Sequence, residues 1–346
     1  MSEIIIRKEG LAGRATLNRP EALNALTAAM ALALEGALDQ WRDDADVAVV
    51  VIDAAGDKAF CAGGDIADLY AHGTAGDFDF GRAFWWQEYR LNLKIATYPK
   101  PIVVFMQGFV MGGGVGVAGH ASHRIVGEST KIAMPECGIG LMPDVGGTFL
   151  LGRAPGEAGV YLGLTGGRMG PADAITATFA DHFVPEAQWD DLKAKLIGDA
   201  DITAIDAASQ PAPEGALVQN AAIIDDLFSG DTISEIAAKL AKDETEFAAA
   251  AAKKLSKAAP LSLACALVTI RQARMSDMKA ALQMEYRFSH RAQEQGDFLE
   301  GIRAQIIDRD FKPEWQHTNF DVPPQDIEKM LADLGPLEWT EKRDMP

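Results

Sequence analysis

The sequence has few cysteines and no pattern that would join them. Cys61, Cys137 and Cys265 are the three in 346 residues, and none belongs to a Cys-x-x-Cys pair. This excludes a disulfide framework and favours a reducing compartment. Histidine is also sparse: only His120 and His123 stand at short spacing, without acids or cysteines beside them at metal-ligand spacing. We therefore predict no metal site.

Clusters of positive charge and long apolar runs are missing as well. Lys and Arg number 32 against 50 Asp and Glu, which gives a formal net charge of −18. Nucleic acids and anionic membranes need a basic face, so neither is a predicted partner. No apolar window of about 18 residues is present to span a membrane. The N-terminal stretch MSEIIIRKEG lacks the regions of a signal peptide, and we expect a soluble, cytoplasmic protein.

The first part of the chain, to about residue 185, alternates short β-branched runs with helical patterns. Val47–Ile52 and Ile102–Met106 are continuous apolar runs, typical of strands buried on both faces. Thr27 is a good N-cap for a helix that reaches Trp41. This alternation indicates an α/β domain. The other elements predicted here are strands at Ile4–Arg7, Arg14–Leu17, Arg124–Val126 and Lys131–Ala133, and a helix at Asp79–Ala96.

The composition changes at residues 199–215, which are rich in Ala, Asp and Pro and show no strand periodicity. Beyond this stretch the sequence predicts helices almost throughout. We therefore predict two domains, an α/β core over residues 1–198 and an all-helical C-terminal region over residues 199–346 that packs on the core. The predicted helices of the second region lie at 215–228, 231–241, 243–256, 261–274, 277–293 and 297–307.

Two glycine-rich turns each follow a predicted strand, CAGGD at 61–65 and MGGGVGVAG at 111–119. Glycines there permit close backbone approach and leave N–H groups that can point at a ligand. Two such N–H groups on neighbouring turns are what an oxyanion hole requires. Gly114, Gly116 and Gly119 also spell G-x-G-x-x-G, but they lie too far past the strand for a dinucleotide-binding turn.

Two acids stand in an otherwise apolar, Pro- and Gly-rich run, MPECGIGLMPDVGG at 134–147. Glu136 and Asp144 each directly follow a proline. An isolated buried carboxylate is costly, so acids in such a run are exposed on turns, paired or catalytic. Together with the two glycine turns, they favour acyl chemistry on a carbonyl group.

These motifs resemble the crotonase, or enoyl-CoA hydratase/isomerase, superfamily. The similar stretches are LNRPEALNAL (17–26), KAFCAGGDI (58–66) and GFVMGGGVGVAGH (108–120). The resemblance implies a crotonase-like core of stacked ββα units that binds an acyl-CoA thioester, with Gly64 and Gly113 as the two N–H donors of an oxyanion hole. It implies no cofactor, because CoA is part of the substrate, and it allows a homo-oligomer.

One position separates this chain from the hydratases of that family. A typical enoyl-CoA hydratase activates water with two glutamates. In this chain Gly116 stands where the first glutamate would be, and Glu136 matches the second. Two further stretches, 143–169 and 297–315, resemble 3-hydroxyisobutyryl-CoA hydrolases, which carry a similar PDVGG segment and a similar DF.EG.RA tail.

The hydrolase resemblance implies cleavage of a short 3-hydroxyacyl-CoA thioester, first of all 3-hydroxyisobutyryl-CoA in valine breakdown. Glu136 and Asp144 are the implied catalytic residues, and Glu88 also contacts substrate. Glu136 would attack the carbonyl or deprotonate water, while Asp144 would bind the substrate hydroxyl, hold Glu136 or share the proton work. The alternatives are an enoyl-CoA hydratase or isomerase with one acid, and a non-catalytic acyl-CoA-binding protein.

The phosphates of CoA need cations in this acidic chain. Arg19 and Lys58 adjoin the first two motifs and are the candidates, although the family often has Lys where this chain has Glu21. Cys61 and Cys137 lie inside the motifs, but no His is placed by motif to activate a thiol. We interpret both cysteines as packing residues.

Overall fold

The computed structural model describes residues 2–342 and 345. It contains two compact units that alternate along the chain, which we call the sheet unit and the helical unit. The sheet unit runs to Gly64 and includes 87–133 and 168–218, and the helical unit comprises 65–86, 134–167 and the chain from 219. The predicted domains, 1–198 and 199–346, follow one another instead of interleaving, and that division stays a prediction.

The strands of the described chain all lie in the sheet unit and form two sheets. The larger has the order β1-β2-β3-β5-β7-β9, with β1 and β2 antiparallel and all other neighbours parallel; the smaller is parallel, in the order β4-β6-β8. The strands are β1 (Ile4–Glu9), β2 (Ala12–Leu17), β3 (Val49–Ala54), β4 (Ala59–Cys61), β5 (Ile102–Met106), β6 (Phe109–Met111), β7 (His123–Val126), β8 (Lys131–Ala133) and β9 (His182–Phe183).

The two sheets arise from one repeated pattern. Three times along the chain, a strand of the larger sheet is followed by a strand of the smaller sheet and then by a helical segment. This is the ββα repetition that the resemblance implied, so the α/β prediction is confirmed. Each glycine turn falls at the end of a short strand, and β4 and β6 are neighbours in the smaller sheet.

The helices of the described chain vary from four to 19 residues. They are α1 (Ala28–Arg42), α2 (Ile66–Thr74), α3 (Phe78–Ala96), α4 (Gly113–Ala118), α5 (Gly147–Arg153), α6 (Ala158–Thr165), α7 (Pro171–Thr176), α8 (Trp189–Asp199), α9 (Thr203–Ala208), α10 (Ala216–Gln219), α11 (Ala221–Leu227), α12 (Ile233–Lys242), α13 (Glu246–Leu255), α14 (Pro260–Ala273), α15 (Met278–Gln295), α16 (Phe298–Ile302) and α17 (Pro324–Leu331). Short 3₁₀ helices occur at Pro20–Ala22, Glu136–Ile139, Glu186–Gln188 and Gly335–Leu337, and a π-helix at Arg303–Ile307.

Each unit is built around its own buried apolar side chains. In the sheet unit, the β-branched residues of β3 and β5 are buried, and those on one face, Val49, Val51 and Val103, cluster with Trp189, Leu192 and Leu196 of α8. Both faces of these strands are covered, which explains their continuous apolar runs. In the helical unit, α14 is buried along most of its length and packs against α5, α6, α12, α15 and α17. None of the described helices combines the length and apolar character needed to cross a membrane.

Most predicted elements are confirmed, but two predicted helices are divided differently and three short strands were missed. The Thr27 hydroxyl caps α1 by accepting a bond from the Met30 N–H. The predicted helix 215–228 is two helices divided at Asn220, and the predicted helix 297–307 is α16 continued by a π-helix. β4, β6 and β9 were not predicted; each has two or three residues and pairs with strands distant in sequence, which leaves little periodicity to detect.

Candidate active site

The two glycine turns meet in the sheet unit. A Cβ built on Gly113 would lie 3.2 Å from the backbone nitrogen of Gly64. Gly63 and Gly112, the residues before them, adopt φ angles of 120° and 48°, a conformation that suits glycine. The structure therefore brings together the two residues predicted to supply the oxyanion hole, at the ends of adjacent strands.

Glu88 lies against the same turn. It projects from α3, is 3% exposed, and its Oε1 atom is 2.6 Å from the position that a Cβ on Gly113 would occupy. Three of the five predicted site residues, Gly64, Gly113 and Glu88, are thus neighbours. Any side chain at position 113 would collide with the Glu88 carboxylate.

A buried ion pair fixes the helix that carries Glu88. Glu35 of α1 accepts hydrogen bonds from Nε and Nη2 of the Arg90 guanidinium, with an Oε1–Nε distance of 2.6 Å, and lies 2.9 Å from the Lys94 amine. Burial by itself raises the pKa of Glu35, but the bonds from Arg90 and Lys94 outweigh it and hold that pKa below its ordinary value. A bidentate pair of this kind also fixes orientation, so α3 is locked to α1 within two residues of Glu88.

The cysteines of the motifs are buried thiols. Burial raises the pKa of Cys61 to about 12 and takes that of Cys137 well above its usual range. The thiolate is the nucleophilic form, so neither cysteine is prepared for attack on a carbonyl. Cys61 instead packs under the glycine turn, where a Cβ on Gly114 would lie 2.3 Å from its carbonyl oxygen.

Glu136 and Asp144 belong to the helical unit, and both are buried. Each is 5% exposed, which excludes the surface-turn alternative for both acids. Glu136 is the first residue of the 3₁₀ helix Glu136–Ile139, and Asp144 lies in the turn that leads into α5. Buried acids in a loop segment are the pattern expected of functional carboxylates.

The C-terminal tail motif holds the 3₁₀ helix that carries Glu136. A Cβ on Gly301 would lie 2.1 Å from the carbonyl oxygen of Ile139, and a Cβ on Gly140 (φ 75°) would lie 2.4 Å from the backbone carbonyl of Asp297. Backbone therefore packs on backbone at two points. The sequence DFLEG of 297–301 thus acts as a support for the Glu136 segment.

The turn after Asp144 has an unusual conformation and a specific support. Val145 and Gly146 both adopt left-handed φ angles, 55° and 77°. The carboxylate of Glu285, fully buried on α15, accepts hydrogen bonds from the N–H of Gly146 (2.7 Å) and the N–H of Thr148 (2.9 Å), and a third from the Thr148 hydroxyl. Glu285 was not predicted, because a Glu in a helical pattern far along the chain gives no local signal.

The candidate CoA-binding cations lie in the sheet unit. The Arg19 guanidinium is 3.2 Å from the Glu3 carboxylate and donates to the Ala25 carbonyl. Lys58 lines a cavity of about 220 Å³ that Pro20 and Asn24 also line. Arg19 therefore already neutralises one acid, and the contacts of both cations with phosphate stay predictions.

The chain matches a known protein family over most of its length. Residues 12–331 match the model described as enoyl-CoA hydratase/isomerase. The chain belongs to the enoyl-CoA hydratase/isomerase family. The resemblance drawn from the glycine turns and the flanking motifs is therefore confirmed.

Individual family members resemble the chain over nearly its whole length. The curated relative "3-hydroxyisobutyryl-CoA hydrolase, mitochondrial" of Danio rerio is 38% identical over 96% of this chain and 90% of its own. A solved enoyl-CoA hydratase from Rhodobacter sphaeroides 2.4.1 is 55% identical, covers 98% of this chain and 100% of its own, and superposes with a TM-score of 0.95. A solved carnitinyl-CoA dehydratase from Mycobacterium thermoresistibile is 39% identical over 99% and 100%, with a TM-score of 0.94. The crotonase-like fold is thereby confirmed.

Proposed function

We propose that this family member hydrolyses 3-hydroxyisobutyryl-CoA to 3-hydroxyisobutyrate and CoA. The observation that carries the proposal is the near full-length similarity to a curated hydrolase of that name. Gly116 adds to it, because this buried residue of α4 occupies the position of the first hydratase glutamate and has no side chain to activate water.

Hydration of an enoyl-CoA is the second candidate. It is favoured by the description of the Rhodobacter sphaeroides structure as an enoyl-CoA hydratase, at the higher identity of 55%. Hydration in this family uses two glutamates, and this chain retains only the counterpart of the second, Glu136. We therefore place hydrolysis first.

In the proposed mechanism the thioester oxygen accepts hydrogen bonds from the N–H groups of Gly64 and Gly113. Negative charge develops on that oxygen when the carbonyl carbon is attacked, and removal of one such donor typically costs about 10²–10³ in rate. The adjacent Glu88 carboxylate contacts the bound substrate. Asp144 accepts the hydrogen bond of the substrate 3-hydroxyl.

Glu136 carries the chemistry in the proposal, by one of two routes. In the first, its carboxylate bonds to the carbonyl carbon, the CoA thiolate leaves and is protonated, and water cleaves the resulting mixed anhydride. In the second, Glu136 takes a proton from the water that attacks. A single turnover in ¹⁸O-labelled water distinguishes them, because the first route allows label to enter the Glu136 carboxyl group.

The test of the function is release of free thiol from 3-hydroxyisobutyryl-CoA, with loss of enoyl absorbance from crotonyl-CoA followed beside it. We expect thiol release by the natural protein and its loss in Glu136→Gln, which retains the shape of the side chain. Glu244→Gln, at an exposed acid, is the matched control and should retain activity. Enoyl loss without thiol release would establish the hydratase alternative. Ligand binding without either reaction would establish a binding protein.

The acyl group and the surroundings of the enzyme belong to the same proposal. A single methyl group is worth about 1–3 kcal/mol of discrimination, so 3-hydroxypropionyl-CoA is a close second substrate. We propose that catalysis uses neither metal nor cofactor. We also propose that the protein is cytoplasmic, although the name of the Danio rerio relative describes that protein as mitochondrial. Cell fractionation tests the compartment, and light scattering tests whether the protein is a homo-oligomer.

A further inference from the structure

The support of the Asp144 turn comes from a residue distant in sequence. Glu285 is separated from Gly146 by 139 positions, yet one carboxylate binds two backbone N–H groups and one hydroxyl of the same short turn. Glu285 is 0% exposed. A buried acid is costly unless its bonds are satisfied, so its presence needs an explanation that packing alone does not supply.

The turn itself requires such a support. Val145 is a β-branched residue with φ 55°, followed directly by Gly146 at φ 77°. A left-handed β-branched residue is strained and persists only where its surroundings over-determine it. Glu285 fixes the N–H groups on both sides of Gly147, and without an acceptor those groups would be left unbonded in the interior.

We propose that Glu285 is a positioning residue for Asp144, holding the turn Val145–Thr148 in the conformation that orients the Asp144 carboxylate toward the substrate hydroxyl. The inference rests on the proposed function, because it assigns Asp144 to that hydroxyl. Glu285 itself contacts no substrate in this scheme. Its effect passes through two backbone N–H groups.

The charge of Glu285 is compatible with this role. Burial, and then the neighbouring negative charge of Asp144, raises the pKa of Glu285 to about 8. Two cations on the same helix are engaged elsewhere, since Arg287 pairs with Glu338 and Asp333, and Arg291 donates to backbone carbonyls. The N–H groups of Gly146 and Thr148 and the Thr148 hydroxyl all donate to this carboxylate, and these bonds act against burial by favouring its charged form.

A double-mutant cycle tests the proposal. Thiol release is measured for the natural protein, Glu285→Gln, Asp144→Asn and the double variant, with single turnovers at high enzyme concentration for the slow ones. Displacing a catalytic group by about 1 Å can lower the rate about 10²-fold. We expect a loss approaching that size in Glu285→Gln and little further loss when Asp144→Asn is already present. Equal losses in both backgrounds would show a general structural role and overturn the proposal.

Hydrogen exchange separates failure of the inference from failure of the proposed function. The amide protons of Gly146 and Thr148 should exchange faster in Glu285→Gln. Exchange should be unchanged in Ser289→Ala, a matched control one turn further along α15 whose hydroxyl bonds within its own helix. Thr148→Val, which removes one of the three bonds, should give a smaller change of the same kind. Unchanged exchange in Glu285→Gln would contradict the positioning role. Absence of thiol release by the natural protein would contradict the proposed function alone.

Discussion

Gly113 has space for a hydrogen atom and little else. Its neighbours on the side where a Cβ would stand are the Glu88 carboxylate and the Gly64 nitrogen. The requirement for glycine is therefore steric and is set by other residues of the candidate site. Its own φ is not in the left-handed region.

We predict that Gly113→Ala lowers the rate of thiol release by about 10²–10³, the typical loss of one oxyanion-hole donor. The added methyl group would push Glu88 and the Gly64 turn apart. Gly36→Ala is the control, because a Cβ at this position of α1 meets nothing within 4 Å. That variant should keep its activity and gain about 0.5–1 kcal/mol in the free energy of unfolding. Full activity in Gly113→Ala would contradict the oxyanion-hole assignment.

Gly64, Gly113, Glu136 and Asp144 were predicted from the motifs that contain them, and Glu88 from the family resemblance alone. The structure shows the acids buried and the glycines adjacent, and the roles of these residues stay predictions. Glu285 escaped prediction, since its partners stand 137 and 139 positions away. Long-range hydrogen bonds leave no periodicity in a sequence.

In the helical unit, α16 and the 3₁₀ helix Glu136–Ile139 pack backbone against backbone. Gly301 of α16 allows that helix to approach the carbonyl oxygen of Ile139, the last residue of the 3₁₀ helix that begins at Glu136. The tail motif therefore determines how one helix packs on another. It supplies no reacting group in the proposed mechanism.

We predict that Gly301→Ala destabilises the protein by about 1–3 kcal/mol, the usual cost of overpacking a close contact, and slows thiol release by displacing the Glu136 segment. Chemical denaturation and the thiol assay measure the two effects. Gly138→Ala is the matched control on the same 3₁₀ helix, because its Cβ would meet open space. Equal behaviour of the two variants would argue against the support assigned to the tail.

Most longer elements could be predicted from their apolar periodicity, whereas short strands could be predicted only in part. The buried strand β5 and the short strand β8 were predicted to the residue, and the helix pattern after 199 was largely correct. β4 and β6 were missed, although both precede the predicted glycine turns, because each owes its bonds to parallel partners distant in sequence. The π-helix after α16 likewise has no local signal, since hydrogen bonding alone distinguishes it from a continued α-helix.

The molecule as a whole carries a formal net charge of −18 and is proposed to bind an anion. Long-range repulsion should therefore oppose the approach of CoA, and local cations must overcome it. The screening length falls from about 30 Å at 0.01 M salt to about 10 Å at 0.1 M. Ionic strength consequently reports which of the two contributions is larger.

We predict that raising the salt concentration over this range lowers the KM for 3-hydroxyisobutyryl-CoA severalfold, because repulsion by the whole protein is screened. The matching pantetheine thioester, which lacks the nucleotide phosphates, is the control and should show no such change. A KM that rises with salt would instead mean that a local cationic site dominates, and Arg19→Gln and Lys58→Gln would then identify it.

The segment 134–167, which carries Glu136 and Asp144, is attached to the sheet unit by neighbouring ends. Just outside it, Ile132 and Met169 exchange two backbone hydrogen bonds, of 3.0 and 2.8 Å. The two residues that flank the segment therefore lie side by side in the sheet unit. Their hydrogen bonds offset part of the chain entropy that is lost when the loop closes. A relative's version of the segment would join the sheet unit at the same two residues, but it would also have to fit α15 and α16, whose Glu285 and Gly301 hold the present one.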